Sequence, residues 1–174
     1  MIRRFYSMLV AVFLTIPLCL TIPNALAMQS IALELADTSS PKHTLSSFIR
    51  DSSVVIEHWK NETLHLKEAQ HAYSQVIRTM DLSMVPNRSR TVVVMEKIIL
   101  LRELLDRIDQ GTHQLVPNVE QIRGEDIDHW RLGNTEIVLS RQTLGDRTDQ
   151  FLFSSNTIQS LSRWYRTMSV LPYY

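Results

Sequence analysis

HWRLGNTEIVLSRQTLGDRTDQFLFS, residues 129–154, contains three short stretches rich in apolar and β-branched residues, separated by two turns. Gly133-Asn134 and Gly145-Asp146 provide the glycine and short polar side chains that tight connections between antiparallel strands require. The stretch therefore predicts a small three-stranded antiparallel sheet. The predicted strands are His129 to Leu132, Glu136 to Gln142 and Gln150 to Ser154.

Three helices are predicted on the N-terminal side of this sheet. Ser40-Pro41 is an N-cap residue followed by proline at the first helical position, so the first helix starts there. The second spans residues 61 to about 79, and the third spans 90 to about 109 and stops before Gly111. The third has an apolar stripe at helical spacing, with Arg102 on the outer face. That stripe consists of Val94, Ile98, Leu101, Leu105 and Ile108.

A fourth helix is predicted on the C-terminal side of the sheet, with Ser154 or Ser155 as its N-cap. Between the third helix and the sheet, residues 110–128 contain two glycines and a proline and are predicted to be a loop. The expected fold class is α+β, mainly helical, with the helices packed on one face of the small sheet. The apolar and aromatic residues of the fourth helix are Ile158, Leu161, Trp164, Tyr165 and Met168.

The N-terminus has the three regions of a secretory signal peptide. Arg3 and Arg4 give a positive start, residues 8–20 are mostly apolar, and Ala25 and Ala27 place small side chains where signal peptidase requires them. The apolar core is shorter than the roughly 20 residues of a membrane anchor. We therefore expect cleavage near Ala27 and a periplasmic or secreted protein, with membrane association as an open alternative.

Charge and cysteine content exclude some classes of partner and site. Only Arg3 and Arg4 are charged within the signal peptide, so the mature chain keeps 16 of 18 basic residues and all 18 acidic ones. Its formal net charge of −2 disfavours nucleic acid as a partner, since nucleic acids bind basic surfaces. Cys19, the one cysteine, is removed with the signal peptide, which excludes disulfides and cysteine metal sites from the mature chain.

The chain divides into four expected regions. Residues 1–27 are the signal peptide and residues 28–39 are a flexible lead-in. Residues 40–168 form a single periplasmic α+β domain, a length that suits one hydrophobic core. Residues 169–174 are an apolar, aromatic tail.

The mature sequence presents no constellation of catalytic or metal-binding residues. His58 and His65 would share a helix face, but a helix end near Lys60-Asn61 separates them, and a zinc site needs converging ligands. Glu125-Asp126 and Asp128 form the best acidic cluster, although loops are rich in acids for solubility alone. We therefore expect no catalytic, metal-binding or cofactor-binding residue, no cofactor, no evident small-molecule ligand and no enzymatic activity. Three further histidines, His43, His113 and His129, are isolated in loops or at the ends of predicted elements.

Aromatic residues provide the candidates for contact with a partner. Trp164 and Tyr165 are adjacent on the fourth helix, and the chain ends in Val170-Leu171-Pro172-Tyr173-Tyr174. Tyrosines next to a membrane sit at its interface, and buried aromatics often anchor protein interfaces. The alternative is that Trp164 completes the core of the domain. The candidate contact residues are Trp164, Tyr165, Tyr173 and Tyr174.

Several segments, in this order, resemble the N-terminal extracytoplasmic region of large bacterial small-conductance mechanosensitive channel (MscS-type) proteins. The pattern covers most of residues 40–168. The matching pieces are Ser40-Pro41 with Thr44-Leu45 and Phe48, Met80-Asp81-Leu82-Ser83 ahead of Pro86, Leu104-Leu105-Asp106-Arg107, Gly133 with Glu136-Ile137-Val138, Phe151-Leu152-Phe153-Ser154-Ser155 with Thr157-Ile158, and Trp164-Tyr165.

The resemblance implies a non-enzymatic periplasmic interaction or accessory module. In such channels this region precedes membrane helices, a pore-lining helix and a cytoplasmic vestibule, and no pore residue can be carried over to the present sequence. The implied partners are an integral membrane channel protein or a second copy of the chain. A small periplasmic ligand-binding or enzymatic α+β domain and a truncated channel remnant remain as alternatives.

Overall fold

A computed structural model describes residues 35–87 and 90–168. The fold is α+β, as expected, with six α-helices and a three-stranded antiparallel sheet in this part of the chain. No described helix combines the length and the apolarity that crossing a bilayer requires. The elements are α1 (Pro41–Lys60), α2 (Lys67–Arg78), α3 (Arg90–Leu105), α4 (Gln110–Gln114), α5 (Val119–Glu125), β1 (His129–Arg131), β2 (Val138–Arg141), β3 (Phe151–Phe153) and α6 (Ser155–Met168).

The first helix begins as predicted and the second begins later than predicted. Ser40 caps α1, because its hydroxyl accepts a hydrogen bond from the His43 amide at 3.2 Å. After Lys60 the chain turns, with Glu62 in the left-handed region at a φ of 59°. A helix cannot continue through that conformation. The predicted start of the second helix at residue 61 is therefore wrong, and α2 starts at Lys67.

The end of the predicted flexible lead-in is part of the packed domain. Ala36 is buried, and its amide donates to the side-chain oxygen of Gln75 at 2.8 Å. Thr38 is also buried, and its carbonyl accepts a hydrogen bond from the Phe151 amide at 2.8 Å. These bonds satisfy backbone groups that would otherwise be buried without partners. The boundary at residue 39 is corrected accordingly, and residues 28–34 lie outside the described part.

The segment between α3 and the sheet is more helical than the loop predicted for residues 110–128. It contains α4, which includes Gly111, and α5. A reciprocal capping box starts α5: Asn118 accepts from the Gln121 amide at 3.0 Å, and the Gln121 side chain accepts from the Asn118 amide at 2.9 Å. The third helix also ends earlier than predicted, at Leu105. The Asp106 amide makes the last bond to a carbonyl four residues earlier, and the Arg107 and Ile108 amides donate to carbonyls three residues earlier.

The sheet has the order β1-β2-β3, and its two outer edges differ. Trp130 pairs with Leu139, and Leu139 pairs with Phe153. The edge of β3 that faces away from β2 is covered by irregular chain. The Phe153 amide donates to the Thr79 carbonyl, and the Asp81 amide donates to the Phe153 carbonyl, both at 2.9 Å. β3 is consequently buried along its whole length. β1 forms the other edge of the sheet.

The core lies where α1, α3 and α6 meet β2 and β3. Phe48 and Phe153 are fully buried and pack edge to face, with ring centroids 5.2 Å apart. All five residues of the predicted apolar stripe are buried, four of them within α3 and Ile108 just beyond its end, which confirms the phase of the helix. The expected outer position of Arg102 is wrong, because its guanidinium reaches α1 and donates to the Ile49 carbonyl at 2.8 Å and to the Ser53 hydroxyl at 2.6 Å.

Candidate functional site

A groove of about 580 Å³ lies between one face of the sheet and α6. We call it the α6 groove. Arg131 and Val138 line it from β1 and β2, and Ser160, Arg163 and Trp164 line it from α6. Opposite residues in an antiparallel pair share a face of the sheet. The pairing of Arg131 with Val138 therefore explains why both side chains reach the same groove.

The first turn of α6 is attached directly to β2, which sets the width of the groove. The Ser154 hydroxyl caps the helix by accepting from the Thr157 amide at 3.2 Å, as the N-cap prediction required. The Ser154 amide donates to the Val138 carbonyl at 2.9 Å, and the Val138 amide donates to the Thr157 hydroxyl at 2.9 Å. Thr157 is buried. These hydrogen bonds therefore join the start of the helix to the strand.

Positive charge predominates along the groove, and its arginines differ in how they are engaged. Arg141 lies 3.2 Å from Asp128 and also donates to the Ile127 carbonyl at 3.0 Å. Arg163 lies 3.6 Å from Glu136, and both side chains are about two-thirds exposed, so solvent weakens that pair. Arg131 is exposed and makes no hydrogen bond or ion pair with any described residue. It is therefore the arginine that an incoming group would meet first.

The predicted contact residues occupy different environments. Trp164 is half-buried: it packs against the core and also lines the groove. Part of its surface therefore completes the core, and another part is available to a partner. Its indole nitrogen is buried and has no hydrogen-bond partner among the described residues. Tyr165 is half-buried on the same helix. Tyr173 and Tyr174 lie outside the described residues.

Histidine, aspartate and serine come together at the start of α1, a cluster that the sequence analysis missed. The His43 Nδ1 atom lies 3.1 Å from the Ser39 hydroxyl, 3.0 Å from the Ser40 hydroxyl and 3.5 Å from an Asp37 carboxylate oxygen. A nucleophilic triad needs the acid on one ring nitrogen and the hydroxyl on the other. Here all three groups approach the same nitrogen, so the cluster caps the helix and does not activate a serine.

The other histidines of the α1 and α2 region do not converge. The α1 helix ends at Lys60, between His58 and His65, as predicted. His58 Nδ1 is 2.7 Å from the Thr63 hydroxyl, and its Nε2 is 4.0 Å from a Glu68 oxygen. In the described part of the chain, no three histidine, cysteine or acidic side chains are grouped as a metal site would require.

A second groove, of about 600 Å³, lies beside α4, and we call it the α4 groove. Ile49 and Leu105 line its apolar part, and Arg102, Asp106 and His113 line its polar part. Burial lowers the pKa of His113 below its ordinary value, and this effect outweighs the opposing influence of nearby acids such as Asp106. His113 is not isolated as expected, because the turn after α3 brings it close to Arg102, Asp106 and Asp109.

The acidic cluster before the sheet serves a structural role in part. Asp128 is paired with Arg141, as described above. Asp126 is the C-cap of α5 and adopts the left-handed conformation at a φ of 50°. Glu125 and Asp126 are exposed. These acids therefore lie in a helix end and an ion pair rather than as paired carboxylates in a cleft.

Comparison with protein-family models, with curated proteins and with solved structures finds no match for this chain.

Proposed function

We propose that this protein is a non-enzymatic, exported docking module that binds an integral membrane channel protein through the side of the domain that carries α6. The proposal rests chiefly on Trp164, a large aromatic that both contacts the core and lines the α6 groove. An aromatic held rigid from behind can bury its remaining surface in a partner at little entropic cost. Interface hot spots have this character.

The position of α6 in the chain supports a partner in the membrane. Tyr165 is half-exposed on α6, and the helix leads directly towards the apolar, aromatic residues 169–174. Tyrosines favour the boundary between lipid and water, so a tail of this composition suits a site beside a membrane protein. The resemblance to the extracytoplasmic region of mechanosensitive channels points to the same class of partner. Self-association is the competing outcome.

Site-specific crosslinking in intact cells tests this function. A photoreactive amino acid would replace Tyr165 in the full chain, and Leu115, the C-cap residue of α4, which is 74% exposed, would provide the control position. The proposal expects crosslinks from position 165 to a membrane protein and few from position 115. Crosslinks of equal yield from both positions, or crosslinks only to a second copy of the chain, would contradict it.

The α4 groove favours a second candidate function, the binding of a small periplasmic ligand. Its volume falls in the range of small-molecule sites, and an apolar floor with a few polar groups is typical of them. His113, kept neutral by burial, could exchange a hydrogen bond with such a ligand. Native mass spectrometry of protein purified from its host tests this function: a stoichiometric small molecule supports it, and spectra of the bare chain alone argue against it.

A further inference from the structure

We propose that the free edge of β1 receives an extended acidic segment of the docking partner, which adds to the sheet as a fourth, antiparallel strand alongside the α6 groove. This inference rests on the proposed docking function and specifies the chemistry of the partner. Addition of a strand to an exposed sheet edge is a common mode of peptide recognition, in which main-chain hydrogen bonds give affinity and alternate side chains give specificity.

The first argument is the contrast between the two edges of the sheet. Residues 38 and 79–81 cover the edge of β3 with backbone hydrogen bonds of 2.8 and 2.9 Å. At the other edge, β2 is the one strand that pairs with β1 in the described residues. An uncovered edge offers a row of backbone donors and acceptors. Within residues 35–87 and 90–168, the fold therefore covers one edge and leaves the other available.

The register shows which backbone groups are available. The Leu132 amide donates to Ile137 at 2.9 Å, and the Arg141 amide donates to Asp128 at 2.8 Å. Hydrogen-bonded positions alternate along an antiparallel pair. The amide and carbonyl groups of residues 128, 130 and 132 therefore point towards β2. Those of His129 and Arg131 point away from it, out from the edge of the sheet. These two residues would supply the main-chain bonds to an added strand.

The charge of this edge selects an acidic partner. The side chains of His129 and Arg131 line the α6 groove, next to the edge where their own peptide groups are available, and Arg163 lines the groove from α6. The acids that also line the groove are Asp81 and Glu136. Glu136 is paired with Arg163, and Asp81 lies beside β3, at the opposite edge of the sheet from β1. The unpaired guanidinium of Arg131 therefore determines the preferred charge of the incoming strand.

A second copy of the chain fits this edge poorly. Antiparallel pairing of two β1 strands would place His129 and Arg131 of one copy against the same residues of the other, on one face of the sheet. Like charges directly opposite in a sheet are destabilising. An acidic segment instead places carboxylates opposite Arg131.

Binding of synthetic peptides to the isotopically labelled mature protein tests the inference. The probe is an acetylated hexapeptide that alternates glutamate and threonine, and lysine replaces glutamate in the control peptide. We expect the acidic peptide to shift the amide resonances of His129 and Arg131, and the lysine peptide to leave them in place. Added salt should weaken the binding, since exposed charges are screened.

Two modified forms of the probe and two protein variants make the test specific. In an added antiparallel strand, the glutamates would lie opposite His129 and Arg131, and their amides would point towards β1. The threonine amides would point away from β1. N-methylation of the glutamates should abolish binding, and N-methylation of the threonines should not. Arg131→Glu should weaken binding by about tenfold. Arg123→Glu should leave it unchanged, since Arg123 is exposed on α5.

The possible results distinguish failure of the strand-addition proposal from failure of the docking function. Equal binding of both peptides, or binding unaffected by glutamate N-methylation, would overturn the strand-addition proposal. Crosslinks from position 165 that persist undiminished in the Arg131→Glu variant would also overturn it, while leaving the docking function intact. If position 165 gives no crosslink to any membrane protein, both proposals fail.

Discussion

The guanidinium of Arg102 donates a hydrogen bond to the backbone carbonyl of Ile49 over 2.8 Å, and this bond connects α3 to α1 across 53 positions of the chain. The same group donates to Ser53 and pairs with Asp106 at 2.8 Å, just beyond the C-terminal end of α3. Its side chain is 23% exposed. The residue therefore joins two helices at the rim of the α4 groove.

Replacement of Arg102 by alanine should lower the free energy of unfolding by about 1–2 kcal/mol. Hydrogen bonds to charged groups contribute more than neutral ones, and partial exposure reduces the gain. Urea denaturation of the mature protein measures the change. Arg123→Ala, at an exposed position on α5, should cost less than about 0.5 kcal/mol. Equal costs for the two variants would show that the bridge to α1 contributes nothing.

Replacement of Leu101 by alanine should cost about 2–5 kcal/mol, because it deletes a fully buried side chain and leaves a cavity. Val92→Ala, on the same helix at a position that is 73% exposed, is the matched control and should change little. Chemical denaturation compares the two. Comparable losses would mean that the buried face of α3 is assigned incorrectly.

The stability of the domain should depend on the protonation of His113. Its pKa in the folded protein is lowered from 6.5 by burial, so the unfolded chain binds this proton more readily. Stability from this residue is therefore complete above the unfolded pKa and is lost as the pH falls through 6.5 towards the folded value. His113→Gln should flatten the pH dependence of the unfolding free energy in that window. An unchanged profile would contradict the assignment.

The exported protein should begin at Met28, within a residue or two, because signal peptidase cleaves after the second small residue of the Ala25–Ala27 site. Intact-mass measurement of protein recovered from the periplasm or medium checks this. Recovery of a membrane-bound chain that retains Met1 would show instead that the N-terminus is an uncleaved anchor.

Sequence patterns predicted the sheet and the long α3 helix and missed the short helices α4 and α5, for physical reasons. The stripe of α3 is visible because Val94, Ile98 and Leu105 repeat with the helical period over several turns. The α5 helix has seven residues and buries only Ile122, so no period can be recognised, although the capping box of Asn118 was present.

The candidate site was predictable only in part. Trp164 and Tyr165 were identified as contact candidates because large aromatics often occupy interfaces. The groove beside Trp164 depends on two facts that no local pattern contains: Thr157 bonds to β2, and Arg131 pairs opposite Val138. The surroundings of His43 were missed because they depend on how the chain turns between Asp37 and the start of α1. Those of His113 were missed because they depend on tertiary packing.

The docking function is tested most directly by crosslinking from position 165 in intact cells, for the full chain and for a chain that stops after Met168. We predict a crosslink to a membrane protein from the full chain and its loss from the shortened chain, with the urea midpoint of the two proteins unchanged. Such a result would assign the contact to α6 and residues 169–174. Identical crosslinks with and without those residues, or no crosslink from either chain, would contradict the docking function and favour a channel remnant.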